Sequence, residues 1–220
     1  MGSSPFEELS NARMHAIVHA EIERLLAPRG FEPAADLKWV RGDGAPIRWL
    51  FGFSKLKGGV IVPRWGISLD FTPHVSGSQL RWHRSNKAAL LDLGLDAQWP
   101  ELAMTFIAGE QAIRKRHPQV AKTAIRHAED FWGRCGTIAD LPGAIDWLKT
   151  YFSRRDGLGF YNYVQHPMAA ALVFAQLGRR AEAMAEWEHV ESRSQLRPDS
   201  MRRLRAVLDA AIQQPNPDAR

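Results

Sequence analysis

The fold is decided by residues 47–71, which read IRWLFGFSKLKGGVIVPRWGISLDF. Bulky apolar residues alternate with small or polar ones in both halves of this stretch, and a period of two is typical of strands with one buried face. Gly58 and Gly59, between the halves, can take the positive φ angles that a tight reversal needs. The stretch therefore predicts a β-hairpin. The anchors of its buried face are Ile47, Trp49, Phe51, Phe53, Trp65, Ile67, Leu69 and Phe71.

The solvent exposure of this hairpin can be predicted for both of its faces. The side chains expected to be nearly inaccessible are those of Trp49, Phe51, Ile67 and Leu69. The opposite face carries the small residues Gly52, Ser54, Gly66 and Ser68. On adjacent strands these small residues form a patch that either lets a helix lie close or leaves a shallow groove.

Helical and extended patterns flank the hairpin. Apolar residues recur at three- and four-residue steps over residues 5–26, which predicts a helix that ends at Pro28. Short strands are predicted at residues 37–41 and 80–84, and a short helix is predicted at residues 86–93. The sheet is thus expected to be an antiparallel meander of three or four strands, backed by the N-terminal helix.

From Trp99 onward the apolar residues follow a helical period, so the second half is predicted to be all-helical. The predicted helices span residues 100–117, 120–132, 140–152, 167–177, 180–191 and 199–212. We therefore predict an α+β fold in which residues 1–98 form the sheet domain. Residues 99–220 are predicted to form a helical domain or an extension packed on the sheet.

The composition excludes several classes of protein. A single cysteine rules out an intramolecular disulfide framework. The longest apolar run, residues 168–175, is far shorter than the ~18 residues of a membrane span, and the N-terminus lacks the pattern of a secretory signal. These features predict a cytoplasmic protein without membrane association. The net charge of +5 resides in residues 111–220, because basic and acidic residues balance in the first half.

One helix face could bind a metal ion. His15, His19 and Glu23 recur at four-residue intervals and therefore share a face of the N-terminal helix. Two histidines four residues apart can bind a transition metal, with the carboxylate as a third ligand. The alternative is a polar stripe that faces water. The glutamate that follows the first histidine in zinc-protease helices is missing, and we predict no metal site and no cofactor.

Catalytic chemistry has few candidates in this sequence. No glycine-rich phosphate loop follows a strand, and no Gly-x-Ser-x-Gly elbow is present. Cys135 could act as a nucleophile with His117 or His127 as its base, or it is a small buried residue. The chain is therefore predicted to be non-enzymatic, with no catalytic residues.

The N-terminal half resembles a known family. Residues 25–31, which read LLAPRGF, together with the hairpin and residues 80–84, which read LRWHR, are similar to a bacterial domain-of-unknown-function family that has been grouped with toxin-immunity proteins. The resemblance covers roughly residues 1–95. It implies the helix-and-meander fold and a role in binding another protein, and it implies no catalytic residue.

Residues 171–190 resemble a single tetratricopeptide helix pair. The similarity rests on Phe174, Gly178, Ala183 and Trp187, because a glycine turns the chain and an alanine lets two helices approach closely. Solenoids need about three such repeats to stand alone. We therefore expect a helical hairpin packed inside a larger bundle.

A partner-binding surface is predicted at the ends of the strands. Its residues are Arg64, His74, Arg81, Trp82, His83 and Arg84. An aromatic side chain flanked by arginines is typical of binding hot spots. In the alternative reading, Trp82 continues the aromatic core and the polar strand ends, Asp70 included, form a solvated rim. Arg81, His83 and Arg84 are the residues expected to lie at the surface.

Two functions are compatible with these patterns. The first is a non-enzymatic module that binds another protein, in an immunity-like or accessory role. The alternative is a nucleic-acid-associated protein, since clustered arginines on helices can bind phosphates. The basic residues that motivate the alternative are Arg114, Lys115, Arg116, Arg202, Arg203 and Arg205.

Overall fold

The computed structural model describes residues 10–42, 46–56, 60–76, 79–96, 102–105, 109–154, 165–194 and 196–216. The helices are α1 Asn11–Leu26, α2 Gly109–Trp132, α3 Leu141–Arg154, α4 Gln165–Gln176, α5 Arg180–Arg193 and α6 Pro198–Gln213. The strands are β1 Glu32–Ala35, β2 Lys38–Arg41, β3 Ile47–Leu56, β4 Val60–Leu69, β5 Pro73–Ser76, β6 Gln79–Trp82, β7 Leu93–Asp96 and β8 Met104–Thr105. A helix, then antiparallel strands, then helices confirm the predicted α+β class.

The main sheet is antiparallel and has the strand order β1-β2-β3-β4-β7, with β8 paired to the other end of β4. Strands β3 and β4 pair along their whole length, from Ile47 opposite Leu69 to Leu56 opposite Val60. This pairing confirms the predicted hairpin. The sheet is larger than expected, because the short strands β1, β7 and β8 also join it.

The segment that follows β4 differs from its prediction in two ways. Residues 80–84 were expected to extend the meander, but β6 pairs with β5 in a separate two-stranded sheet. Residues 86–93, expected to be a helix, instead form a turn and the start of β7. The reason is tertiary packing, because Ala89 and Leu91 contact the sheet and Leu93 pairs opposite Ile67.

One face of the main sheet, called the inner face here, packs against α1 and α2. Its buried side chains include Trp39, Phe51 and Trp65, which belong to one large hydrophobic cluster with residues of both helices. Trp132 of α2 donates a hydrogen bond from Nε1 to the Gly66 carbonyl oxygen at 3.0 Å. The N-terminal helix therefore backs the sheet as predicted, and α2 shares that role.

The exposure predictions for the hairpin are confirmed at three of their four positions. Phe51, Ile67 and Leu69 are fully buried. The prediction for Trp49 is wrong, since its side chain is only partly buried. The Arg41 guanidinium lies over the Trp49 ring, 4.5 Å from its centroid, so a cation occupies the place of an apolar neighbour there.

The opposite face, called the outer face here, is covered by residues 85–91. Val40 and Leu50 of the sheet form a small second hydrophobic cluster with Ala89. The Ser68 hydroxyl oxygen accepts a hydrogen bond from the Leu90 amide at 3.3 Å. A short segment of chain, rather than a helix, therefore lies against the patch of small residues.

Helix α2 is one continuous helix, whereas the sequence predicts a break at Pro118. The helix passes through Pro118 from Gly109 to Trp132. A proline inside a helix removes one backbone hydrogen bond and strains the preceding turn. The apolar residues on both sides, among them Ile113 and Ile125, are buried in the same cluster, and this packing offsets the local cost.

The helical half packs on the sheet. Helices α4 and α5 form the expected helical hairpin, joined at Gly178, whose φ of 72° is left-handed. Ala183 and Trp187 of α5 are buried in the cluster that also contains Phe51. Strand β8 lies beyond the predicted boundary at residue 98 and still pairs with β4. The division into two domains stays a prediction.

Candidate functional site

Strands β5 and β6 present an exposed tryptophan. Trp82 is 39% exposed, and it and Leu90 are the exposed large hydrophobic side chains in the described part of the chain. The Arg84 guanidinium lies over the Trp82 ring, 4.4 Å from its centroid. Arg81 is exposed on the same strand. The interpretation in which Trp82 continues the aromatic core is therefore wrong. We call Arg81, Trp82 and Arg84 the Trp82 surface.

A buried ion pair fixes this surface to the main sheet. Arg48 of β3 forms an ion pair with Asp70, and both side chains are nearly inaccessible. Arg48 also donates to the Asn86 side chain at 3.0 Å and to the Arg84 carbonyl oxygen at 2.8 Å. Arg84 in turn donates from Nε to the Asp70 carbonyl oxygen at 3.1 Å. Asp70 is therefore an interior anchor, and the solvated rim suggested for it is wrong.

His83 is fully buried, so its expected place at the surface is wrong. Its Nε2 lies 2.7 Å from Asp92 Oδ2, and the same oxygen accepts a hydrogen bond from the Leu69 amide at 2.7 Å. The His83–Asp92 pair therefore connects the segment after β6 to the end of β4 at Leu69. Asp92 was missed by the sequence reasoning, because it lies within the segment that was predicted to be a helix.

His74 is half-buried beside His83, with ring centroids 5.6 Å apart. Burial lowers the pKa of His74, and the neighbouring His83 lowers it further. His74 and His83 are therefore positioned as packing residues under the hairpin, whereas Arg81, Trp82 and Arg84 face solvent. The predicted partner surface divides into an exposed part and a buried support.

Arg64 lies in a different place from the other predicted residues. It stands in the middle of β4 opposite Gly52 of β3, and Gly52 is itself opposite Lys38 of β2. These three residues line a cleft of about 170 Å³ on the outer face, together with Asp36 and the apolar residues of the covering segment. The predicted patch of small residues therefore leaves a groove at Gly52.

The patch of small residues is closed at its other glycine. Gly66 stands opposite Gly94 of β7. A Cβ atom on Gly66 would lie 2.1 Å from the Leu93 carbonyl oxygen and 2.6 Å from Leu91 Cδ1. Both predicted outcomes thus occur on the outer face: close approach of the chain at Gly66 and an open groove at Gly52.

The candidate metal and nucleophile residues are engaged elsewhere. His19 Nδ1 lies 3.3 Å from Glu23 Oε2 along the exposed side of α1. Among the residues that the structure describes, no group of three or more His, Cys, Asp and Glu side chains could hold a metal ion. Cys135 is fully buried, and burial, followed by the charge of Asp140, raises its thiol pKa to about 12. A thiol with that pKa is not a nucleophile at neutral pH.

The proposed bases of Cys135 lie in other environments. His117 of α2 is buried, with Nε2 3.3 Å from the Val18 carbonyl oxygen, and its ring contacts Phe53. His127 stacks on Trp65 of the inner face. Both histidines therefore pack between α2 and its neighbours.

Several arginines of the basic half are paired with carboxylates on their own helices. Arg114 binds Glu110 at 2.7 Å and Arg205 binds Asp209 at 2.9 Å, and Arg202 forms an ion pair with Asp199. Their charge is therefore partly balanced locally.

Within the described ranges, none of the helices has the length and apolar content needed to cross a membrane.

Within the described part of the chain, the Trp82 surface and the cleft at Gly52 each combine cationic and apolar side chains at the surface. One is an aromatic ring with the Arg84 guanidinium over it, and the other is a groove between Lys38 and Arg64. The resemblance to an immunity-related family stays a prediction, because comparison of the chain with protein-family models, curated proteins and solved structures found no match.

Proposed function

We propose that this protein is a non-enzymatic module that binds another protein through the Trp82 surface, in an accessory or immunity-like role. The observation that carries the proposal is the exposed Trp82 ring stacked beneath Arg84. A large apolar ring in water is unfavourable, and its burial against a partner contributes about 25 cal/mol per Å² of apolar area. Tryptophan and arginine are also the residues most enriched in binding hot spots.

The rigidity of this surface supports the proposal. Arg84 donates to the Asp70 carbonyl oxygen, and its own carbonyl oxygen accepts from the buried Arg48. The guanidinium over the ring is thus held before a partner arrives, which reduces the entropy lost on binding. The exposed cations Arg81 and Arg84 favour a partner that carries carboxylates around an apolar pocket.

The placement of the chemically active groups favours binding over catalysis. The His83–Asp92 pair has the composition of an acid–base dyad, but both side chains are fully buried. Cys135 is buried with a raised pKa. The pairing of Arg114, Arg202 and Arg205 with carboxylates does not favour the nucleic-acid alternative.

The proposal is tested by capture from a nuclease-treated lysate of the source cells, with the immobilised protein and quantitative mass spectrometry. Arg81→Glu/Trp82→Ala should lose a partner that the wild-type protein retains, because the variant removes the anchor and reverses a charge beside it. The matched control is Lys55→Glu/Leu90→Ala, which reverses the charge of an exposed lysine and truncates the other exposed large hydrophobic residue.

The control variant should capture the partner at the wild-type level. Equal capture by Arg81→Glu/Trp82→Ala and the wild-type protein would contradict the proposed surface. Loss of all capture after nuclease treatment would instead favour the nucleic-acid alternative, since it would mean that nucleic acid bridged the two proteins.

A further inference from the structure

Three residues form a row across the outer face, with a glycine between two cations. Lys38 pairs with Gly52, and Gly52 pairs with Arg64, so the three lie side by side on β2, β3 and β4. Neighbouring strands are about 4.8 Å apart, which puts the Cα atoms of Lys38 and Arg64 roughly 10 Å from each other. Side chains of this length can therefore reach one small group bound between them.

Gly52 lines the cleft between the two cations. A Cβ atom at this position would lie 2.6 Å from the Leu37 carbonyl oxygen, so no other residue fits without a shift of the backbone. The same point is 3.4 Å from Arg64 Nε, which shows that the guanidinium leans over the glycine toward Lys38. The glycine therefore lets the backbone at Leu37 lie close to β3 beside the cleft.

Lys38 and Arg64 have N–H groups that could donate hydrogen bonds to a ligand. Lys38 Nζ donates to the carbonyl oxygens of Lys87 at 2.7 Å and Ala89 at 3.0 Å. An ammonium group has three protons, so one donor of Lys38 is left. No hydrogen bond or ion pair joins the Arg64 guanidinium to a side chain that the structure describes, and a guanidinium carries five N–H donors.

The two cations of the groove repel each other. Partial burial lowers the pKa of Lys38, and the positive charge of Arg64 lowers it further. Asp36 also lines the cleft, but its carboxylate is largely exposed and lies 3.8 Å from His15 Nδ1. Asp96 of β7 pairs with Arg64 along the edge of β4 that faces away from Lys38. An anion between Lys38 and Arg64 would relieve the repulsion between them.

We propose that the Lys38–Arg64 cleft binds a small free oxyanion, a phosphate or a carboxylate, whose apolar remainder lies against Leu90 and Leu91. The volume of about 170 Å³ is below the range of drug-sized ligand pockets and suits a compact group. Arginine offers a bidentate fork to such an oxyanion and lysine adds a point charge. The apolar wall consists of Leu50, Ala89, Leu90 and Leu91.

The test is a titration of the purified protein at low salt, followed by NMR of the Arg64 Nε–H and Lys38 signals. The probes are inorganic phosphate, acetate and isovalerate. Phosphate compared with acetate distinguishes the two oxyanions, and isovalerate compared with acetate measures the apolar wall. We expect saturable millimolar binding of at least one probe, and the Lys38 pKa should rise when that probe binds.

The variant Arg64→Gln should weaken the bound probe at least tenfold, since it removes the charged bidentate donor. The matched control Lys55→Gln removes one exposed charge from β3 outside the cleft and should leave the affinity unchanged. A thermal unfolding scan of Arg64→Gln checks that it is folded. The rise in the Lys38 pKa is measured on the wild-type protein and needs no variant.

Three outcomes would overturn the proposal. The first is the absence of saturable binding for all three probes, and the second is an Arg64→Gln affinity equal to that of the wild-type protein. The third is an equal loss in Lys55→Gln, which would mean that the anions respond to net charge alone. None of these outcomes depends on the Trp82 surface.

Discussion

The two faces of the main sheet are held by different forces. The inner face is dry and continuous, with Trp39, Phe51 and Trp65 against the apolar stripes of α1 and α2. The outer face has a small apolar cluster around Leu50 and depends on the buried Arg48–Asp70 ion pair and on hydrogen bonds to the covering segment. The inner face is stabilised by the burial of apolar surface area, and the outer face by specific ion pairs and hydrogen bonds.

This difference explains where the solvent-facing chemistry lies. The inner-face side chains Trp39, Phe51 and Trp65 are fully buried beneath the two helices. A face covered by seven residues of irregular chain, residues 85–91, is covered only in part. The Lys38–Arg64 cleft lies beside that cover, since Ala89, Leu90 and Leu91 form one of its walls. The Trp82 surface is held by the ion pair beside it.

The largest effect is expected on the inner face. Phe51→Ala should lower the free energy of unfolding by ~3–5 kcal/mol, because it leaves a cavity in a fully buried cluster. Chemical denaturation measures the change. Lys55→Ala, an exposed position on the same strand, is the control and should change stability by less than ~0.5 kcal/mol. A loss below about 1 kcal/mol for Phe51→Ala would remove the contrast between the faces.

On the outer face, removing a buried charge should lower the free energy of unfolding more than removing apolar surface does. Arg48→Ala should cost about 3 kcal/mol, because it leaves the Asp70 carboxylate buried without its partner. The double variant Arg48→Met/Asp70→Leu should recover most of that loss, since it replaces the pair with apolar groups of similar size. Urea denaturation of both variants decides the matter. If the double variant is as unstable as Arg48→Ala, packing rather than charge holds this face.

Acid should act on two buried histidines of the helical half. Burial lowers the pKa of His166 in α4 from 6.5 to about 4, and burial also lowers that of His117 in α2. The unfolded chain then binds more protons than the native protein at pH values between the two pKa values. Stability should therefore fall as the pH is lowered from about 6.5 to about 4, by roughly 3 kcal/mol for His166.

The pH effect is measured by denaturation at several pH values for the wild-type protein and for His166→Leu. The variant should lose much less stability over this interval, while the charges of Arg48 and Lys38 on the outer face stay unchanged. An equal loss in the variant would show that another group carries the acid sensitivity.

The candidate site could be predicted only in part. Trp82, Arg81 and Arg84 were found from their composition, because an aromatic residue between arginines is a local pattern. The burial of His83 could not be found in the same way, since it depends on Asp92 and on the end of β4. Arg64 was grouped with these residues on composition, but the register of β3 and β4 places it over Gly52.

The sequence by itself determined the β3–β4 hairpin, the N-terminal helix and the helical second half, because alternation and helical period are properties of neighbouring residues. Only the tertiary structure decided that α2 runs through Pro118 and that residues 86–93 are not a helix. In both cases burial against distant parts of the chain outweighs a local preference of a few kcal/mol. The residues that make these tertiary contacts lie far apart in the sequence, so local sequence patterns cannot predict the contacts.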